Sequence, residues 1–284
     1  MLRSRRAFLA RFGATTAATT AATAAVCALP EVLIEGQGAQ TIVMIHGWPD
    51  TYRLWDEQAA YFSRQYRVIR FTLPGFDMDK PRVILTAVEL TEVFRRIIEH
   101  VSPGQPVTLM LHDWGCVFGY EFYNRHPLLV SRIVGVDIGN PRSLGAALSF
   151  SQKLFVLGYQ VILALLWKIG GRLGDVLSRK FAKVLGARAE PARIHAGMGY
   201  PYWNTWFGRG NPDNKIQQFK PECPMLFIYG RRKPAMFHTP DWLAWLKAKR
   251  PENRVVEFDT GHWVMRQQPD RFNEVVSNWL GGKV

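Results

Sequence analysis

Asp113 and His262 are the two residues whose types and surroundings point to covalent chemistry. Asp113 stands in Val107-Thr-Leu-Met-Leu-His-Asp-Trp-Gly-Cys-Val-Phe-Gly119, between an apolar, β-favouring run that ends at Leu111 and a helix-like run from Trp114. A sharp strand-to-helix turn holds one side chain clear of the backbone and aims backbone N–H groups at whatever that side chain attacks. A carboxylate there is ionised at neutral pH (ordinary pKa about 3.9), so it needs no base to act as a nucleophile. The plainer alternative is that Asp113 only caps the helix from Trp114, because Asp is a favoured N-cap. His262, in Gly261-His-Trp263, follows another short apolar run. An imidazole with a pKa near 6.5 suits a general base at neutral pH. Its alternative is a helix-capping or surface histidine.

These residues need elements to bring them together, and the pattern supplies them. Apolar runs predict strands over Thr41–Ile45, Arg67–Phe71, Val107–Leu111, Ile133–Ile138, Met225–Tyr229 and Arg254–Phe258. Between them, helices are expected over Leu54–Gln65, Thr86–His100, Trp114–Arg125, Pro240–Lys249 and Pro269–Leu280. Strands alternating with helices imply a mostly parallel sheet covered on both faces, with functional groups at the carboxyl ends of its strands. His46, Asp113, Asp137 and His262 all fall at or just beyond such ends.

The 284 residues suit one α/β domain with an insertion. The formal charge of +13 is unevenly spread: residues 31–140 carry 10 basic and 13 acidic residues, whereas 141–218 carry 11 and 3. An acidic core without a recognised binding motif argues against nucleic acid as a partner. Cys27, Cys116 and Cys223 show no disulfide framework and no metal-ligand spacing, so neither a metal nor another cofactor is expected. Residues 1–30 carry four Arg and no acid. Ser4-Arg5-Arg6-Ala7-Phe8-Leu9 resembles a bacterial twin-arginine export signal, and Val26-Cys27-Ala28 offers a small-residue cleavage site; a mitochondrial presequence is the rival reading.

Three motifs together resemble the epoxide hydrolase and haloalkane dehalogenase branch of the α/β-hydrolase fold. His46-Gly47-Trp48-Pro49-Asp50 resembles the oxyanion-loop motif His-Gly-x-Pro, His112-Asp113-Trp114-Gly115 the nucleophile elbow, and Gly261-His262-Trp263 the general-base position. The order, nucleophile before distal His, is also that fold's order. The resemblance covers residues 40–140 and 219–284. It implies a hydrolase core over 31–140 and 219–284 and a helical cap over 141–218. It further implies that Asp113 forms an alkyl ester, that His262 activates water to cleave it, and that the backbone N–H groups of Trp48 and Trp114 hold the oxyanion. His46 is expected to shape its loop by hydrogen bonding, and His112 to point away from the site.

Two positions depart from the pattern. The usual acid after the strand Met225–Tyr229 is replaced by Lys233, in Gly230-Arg231-Arg232-Lys233. The resemblance then moves the acid to Asp137, with Asp259 as the second candidate. Leu111 stands two residues before Asp113, where a small residue is usual, and predicts a crowded elbow.

The segment 141–218 carries no strand signal. Leu154–Ile169 is apolar except for Gln160 and Lys168, and Arg172–Leu185 is a basic amphipathic stretch. Two readings follow: a lid packed over a lipophilic tunnel with a solvated basic face, or peripheral docking on an anionic membrane. Both imply an apolar small-molecule substrate. Epoxide hydrolases protonate the opened ring with tyrosines of the cap, and Tyr200, Tyr202 and Tyr159 are the candidates; aromatic packing is their alternative. Epoxide hydrolysis is the first expectation, haloalkane dehalogenation the second, and a non-catalytic lipid-binding module on the same scaffold the third. Oligomeric state is not legible.

Overall fold

The computed structural model describes residues 29–140 and 148–282. The expected leader, including its cleavage site, lies almost wholly outside the described residues. Seven strands form one sheet in the order β1-β3-β2-β4-β5-β6-β7: β1 (Val32–Glu35), β2 (Thr41–Ile45), β3 (Arg67–Phe71), β4 (Val107–His112), β5 (Val130–Val136), β6 (Met225–Gly230) and β7 (Arg254–Phe258). Every neighbouring pair is parallel except β1 with β3. The sequence reading missed β1. Its Val-Leu-Ile-Glu is too short to stand out beside the leader, and only pairing with β3 orders it as an antiparallel edge.

The core forms by alternation. Val43, Ile45, Leu109 and Leu111 point to one side of the sheet, and Ile42, Met44 and Met110 to the other, so each face builds its own apolar layer. Helices α1 (Asp56–Phe62), α2 (Ala87–Val101), α3 (Trp114–Arg125), α7 (Pro240–Lys249), α8 (Val264–Gln267) and α9 (Pro269–Leu280) accompany these strands. Helices α4 (Phe150–Ile169), α5 (Gly171–Val184) and α6 (Tyr200–Phe207) lie between β5 and β6. The expected helix over Leu54–Gln65 is shorter, because a 3-10 turn, Tyr52–Trp55, precedes α1. Thr86 starts α2 with a capping box: its hydroxyl accepts the Glu89 N–H at 3.1 Å, and the Glu89 carboxylate accepts the Thr86 N–H at 2.8 Å. Buried Leu90, Phe94, Ile97 and Val101 then recur on one side of the helix.

Between β5 and β6 the described chain is thus helical. Ser149 and Gln152 form a second capping box at the start of α4. Gly170 and Gly171, both at positive φ, let the chain reverse between α4 and α5 without a Cβ clash. Among the described residues, α4 is the helix with the length and apolar composition to cross a membrane.

Candidate active site

Five loops leave the carboxyl ends of β2, β4, β5, β6 and β7 and converge. After β4, Asp113 adopts φ 54° and ψ −124°, a region that non-glycine residues rarely enter. As the Ncap residue of α3, its side chain makes no capping bond, which removes the helix-cap alternative. Its carboxylate instead faces the loop after β2, where Oδ1 accepts the Trp48 N–H at 2.7 Å. The Trp114 N–H helps to hold this carboxylate in its ionised form. Gly47 makes the approach possible, since a Cβ there would sit 2.3 Å from Asp113 Oδ1 and 2.4 Å from Trp114 N.

Leu111 does not block the elbow. A Cβ on Gly119 would lie 2.6 Å from both Leu111 methyl carbons, so a missing side chain on α3 makes room for the extra one on β4. The crowding expected from one position is relieved eight residues later.

His262 lies beyond β7, with Nε2 at 3.4 Å from Asp113 Oδ2. Its Nδ1 meets Asp137 Oδ2. Asp137 follows β5, is fully buried and holds φ 73°. Its other oxygen accepts the Gly230 N–H at 3.1 Å and pairs with the Lys233 ammonium. Asp259, the second candidate, is turned away and pairs with Arg231 at 2.9 Å and Arg232 at 3.1 Å. Lys233 itself was read from sequence only as the loss of an acid; its contact with Asp137 was missed, because nothing in the linear order ties residue 233 to residue 137.

Opposed effects set the charge states. Burial disfavours ionised Asp113, but His262, His112 and the Trp114 N–H outweigh it and hold the carboxyl below its usual range. Burial likewise opposes ionised Asp137, and Lys233 and His262 overcome it. Burial would lower the His262 pKa, yet the Asp137 and Asp113 carboxylates raise it to about 9. Free of substrate, His262 is therefore an imidazolium between two carboxylates at neutral pH.

The two neighbouring histidines have structural places. Buried His46 accepts the Leu73 N–H at Nε2, 2.9 Å away, so its Nδ1 carries the proton and donates to Gly47 O at 3.0 Å. Burial lowers its pKa to about 4 and keeps it neutral. His112 backs His262 directly: the rings are 4.4 Å apart and His112 Nε2 donates to the His262 carbonyl at 3.1 Å.

Over Asp113 lies a mainly apolar cavity lined by Trp48, Phe155, Tyr159, Tyr202, Phe237 and His262, among others. Tyr159 and Tyr202 stand edge-to-face across it, 6.2 Å between ring centroids. Gln160 donates to the Tyr159 hydroxyl at 3.3 Å, which leaves the phenol proton free for another acceptor. Burial raises the pKa of both phenols, so both stay protonated. Tyr200 is corrected: it does not line the cavity, but packs fully buried against Phe76, with centroids 5.9 Å apart. Positions two apart on α6 project about 200° apart, so Tyr200 and Tyr202 face nearly opposite ways. The Trp114 indole also stands edge-on to Tyr202 at 5.2 Å.

Known proteins are similar to this chain in sequence or in fold. EphD of Mycobacterium tuberculosis, a probable oxidoreductase by name, is 33% identical over 88 residues, which are 30% of this chain and 15% of that protein. Epoxide hydrolase 1 of Caenorhabditis elegans is 23% identical across 84% of this chain and 64% of its own length. The cis-3-alkyl-4-alkyloxetan-2-one decarboxylase of Xanthomonas campestris is 24% identical, covering 81% of this chain and 84% of that one. The matched part thus spans less than two thirds of the mycobacterial and nematode relatives. A crystal structure of an epoxide hydrolase from Bacillus megaterium with a bound diol product has the same fold at TM-score 0.63 and 21% identity, over 88% of this chain and 96% of that one. The model of the alpha/beta hydrolase family matches residues 42–275, and with that span taking in most of the chain and every loop of the site, the chain belongs to the α/β-hydrolase family.

Proposed function

We propose that this hydrolase opens an epoxide on an apolar small molecule through an ester of Asp113 and releases a diol. The observation that carries this reading is the setting of Asp113: one carboxylate oxygen against the Trp48 N–H, the other toward His262, below a cavity lined by Tyr159 and Tyr202. Oδ2 attacks a ring carbon, the C–O bond of the ring breaks, and a cavity phenol protonates the departing alkoxide. Oδ1 becomes the ester carbonyl; it already accepts the Trp48 N–H, and the Trp48 and Trp114 N–H groups would receive the later oxyanion.

Esterification also prepares the base. It neutralises Asp113, so His262 loses one of the two carboxylates that hold its proton, and its pKa falls. The proton that His262 gives up restores the phenol, and the neutral imidazole, oriented by Asp137, then takes a proton from water as that water attacks the ester carbonyl. One water is consumed and the diol leaves. In the free protein Asp137 and Lys233 form a neutralised pair behind the base, which serves to orient the ring.

The Xanthomonas relative supports a second reading. Its named substrate is a four-membered cyclic ester, a strained ring with apolar arms, and the same nucleophile and apolar cavity suit it. Trapping separates the readings. His262→Gln keeps the nucleophile and removes the base, so incubation with a lipophilic epoxide should add the mass of one intact substrate to the peptide containing Asp113. A haloalkane would instead add only its alkyl group and release one halide. The oxetanone would release carbon dioxide. Asp113→Asn should form no adduct at all. A folded His262→Gln protein that takes up nothing from a broad panel would favour the non-catalytic lipid-binding module.

A further inference from the structure

The outward side of α4 and α5 lies bare although its composition is that of a buried surface. Phe150 is 83% exposed, Leu154 60%, Ile169 53%, Leu173 63% and Val184 79%. Along α4, Phe150, Leu154, Leu157, Leu165 and Ile169 recur at helical spacing, so they form one stripe rather than scattered exceptions. On α5, which packs beside α4, Leu173, Val176 and Val184 are exposed as well. The charges beside the stripe have one sign: Lys153, Lys168, Arg172, Lys180 and Lys183 are all exposed. Asp175 is the one acid between residues 150 and 185. It is turned inward, its carboxylate accepting the Ala196 N–H at 2.8 Å.

We infer that this face docks on an anionic lipid surface and that the apolar substrate reaches Asp113 from that surface, past Phe155. The first half stands on the exposed stripe and its one-signed rim; the second rests on the proposed epoxide chemistry. An apolar stripe flanked by lysines and arginines matches the interface of a bilayer, where the apolar groups meet acyl chains and the cations meet acidic headgroups. Solvated basic residues alone would not require eight large apolar side chains beside them. The same helix also forms the site: Phe155 and Tyr159 line the cavity over Asp113, and Phe155 is itself partly exposed. The cavity mouth therefore adjoins the lipid-facing stripe.

Docking on the surface fits better than crossing it. The helix is tied to the fold along its length: Gln152 donates to Pro234 O at 3.1 Å, Gln160 accepts the Trp206 indole N–H at 3.1 Å, and Leu163, Ala164 and Leu166 are buried. Crossing would break all of these contacts.

The test uses the full chain, so that any contribution of residues 1–30 is common to parent and variants. Sedimentation is measured with vesicles of phosphatidylglycerol and phosphatidylcholine, and with phosphatidylcholine alone. The parent should bind the anionic vesicles more tightly and release as salt rises. Lys180→Glu/Lys183→Glu should weaken that partition about tenfold or more. Phe150→Ser/Leu154→Ser/Leu165→Ser should weaken it about a hundredfold. Unchanged thermal midpoints would show that both variants are folded. Equal binding of parent and triple variant, or equal binding to both vesicle types, would overturn the docking. So would self-association without vesicles that the triple variant loses, because a second copy would then cover the stripe. For the access route, kcat/KM toward a lipophilic epoxide carried in anionic vesicles should fall about tenfold in the Lys180→Glu/Lys183→Glu variant, while a water-soluble epoxide is turned over as by the parent. Equal loss on both substrates would overturn the route. Vesicle binding without turnover of any epoxide would leave the docking standing and refute the proposed reaction.

Discussion

Lys233 occupies the place where the resemblance leads one to expect an acid, and it faces that acid's replacement. Its ammonium meets one oxygen of Asp137 while His262 holds the other. The two cationic partners compete for one carboxylate. Lys233 thus weakens the pull of Asp137 on the His262 proton, and in the proposed mechanism that would help His262 to become neutral after Asp113 is esterified. Lys233→Met should move the acid limb of the kcat–pH profile upward by about one unit, because an undivided Asp137 holds the imidazolium more tightly. Lys233→Arg should largely restore the parent profile. An unmoved limb in the Met variant would show that Lys233 does not act on the base. The cavity tyrosines carry a related lesson. Their residue type suggested proton donors, but the turn of α6 put only Tyr202 beside Tyr159 and sent Tyr200 to Phe76.

At the scale of elements, β4 and α3 meet through a reciprocal exchange of volume. Leu111 is fully buried where a smaller residue would relieve the elbow, and Gly119 leaves the gap that receives it. Gly119→Ala should destabilise the fold by about 1–3 kcal/mol, the usual cost of overpacking a filled core. Leu111→Ala/Gly119→Ala should be less damaging than the two single changes added together. Denaturant titrations of the four proteins measure that coupling. Strict additivity would mean that the two side chains do not share this space. The helix pair α4–α5 shows the opposite condition, an element whose apolar residues the rest of the chain leaves uncovered.

For the whole molecule, the site stores a pH-dependent part of its stability. His262 has a pKa raised from 6.5 to about 9 in the folded protein. A raised folded pKa means that the stabilisation is fully present below the unfolded value and is lost as pH rises through the folded one. Unfolding free energy should therefore fall between about pH 6.5 and pH 9, by a total of about 3 kcal/mol. His262→Gln should flatten that segment. Urea titrations across the range check both statements, and a wild-type curve as flat as the variant's would contradict the coupling of His262 to its two carboxylates.

Periodicity and local chemistry decided much of this protein before any folding. The bounds of β2, β3, β7, α3, α7 and α9 agree with the expected ones, because each is a short run of one period closed by Pro, Gly or a polar turn. The strand-end positions of His46, Asp113, Asp137 and His262 were legible for the same reason. What the linear order leaves open is which groups meet across it. Asp137 and Asp259 were both within the sequence's choice, and only the pairing of β5 with β6 and of β6 with β7 sets one beside His262 and the other among arginines. Gly119 and Lys233 read as a helix glycine and a vacant acid position until packing joined them to Leu111 and Asp137. Local sequence dictates the element, since its forces act over a few residues. Contacts between residues 96 or 125 positions apart exist only once the sheet has closed.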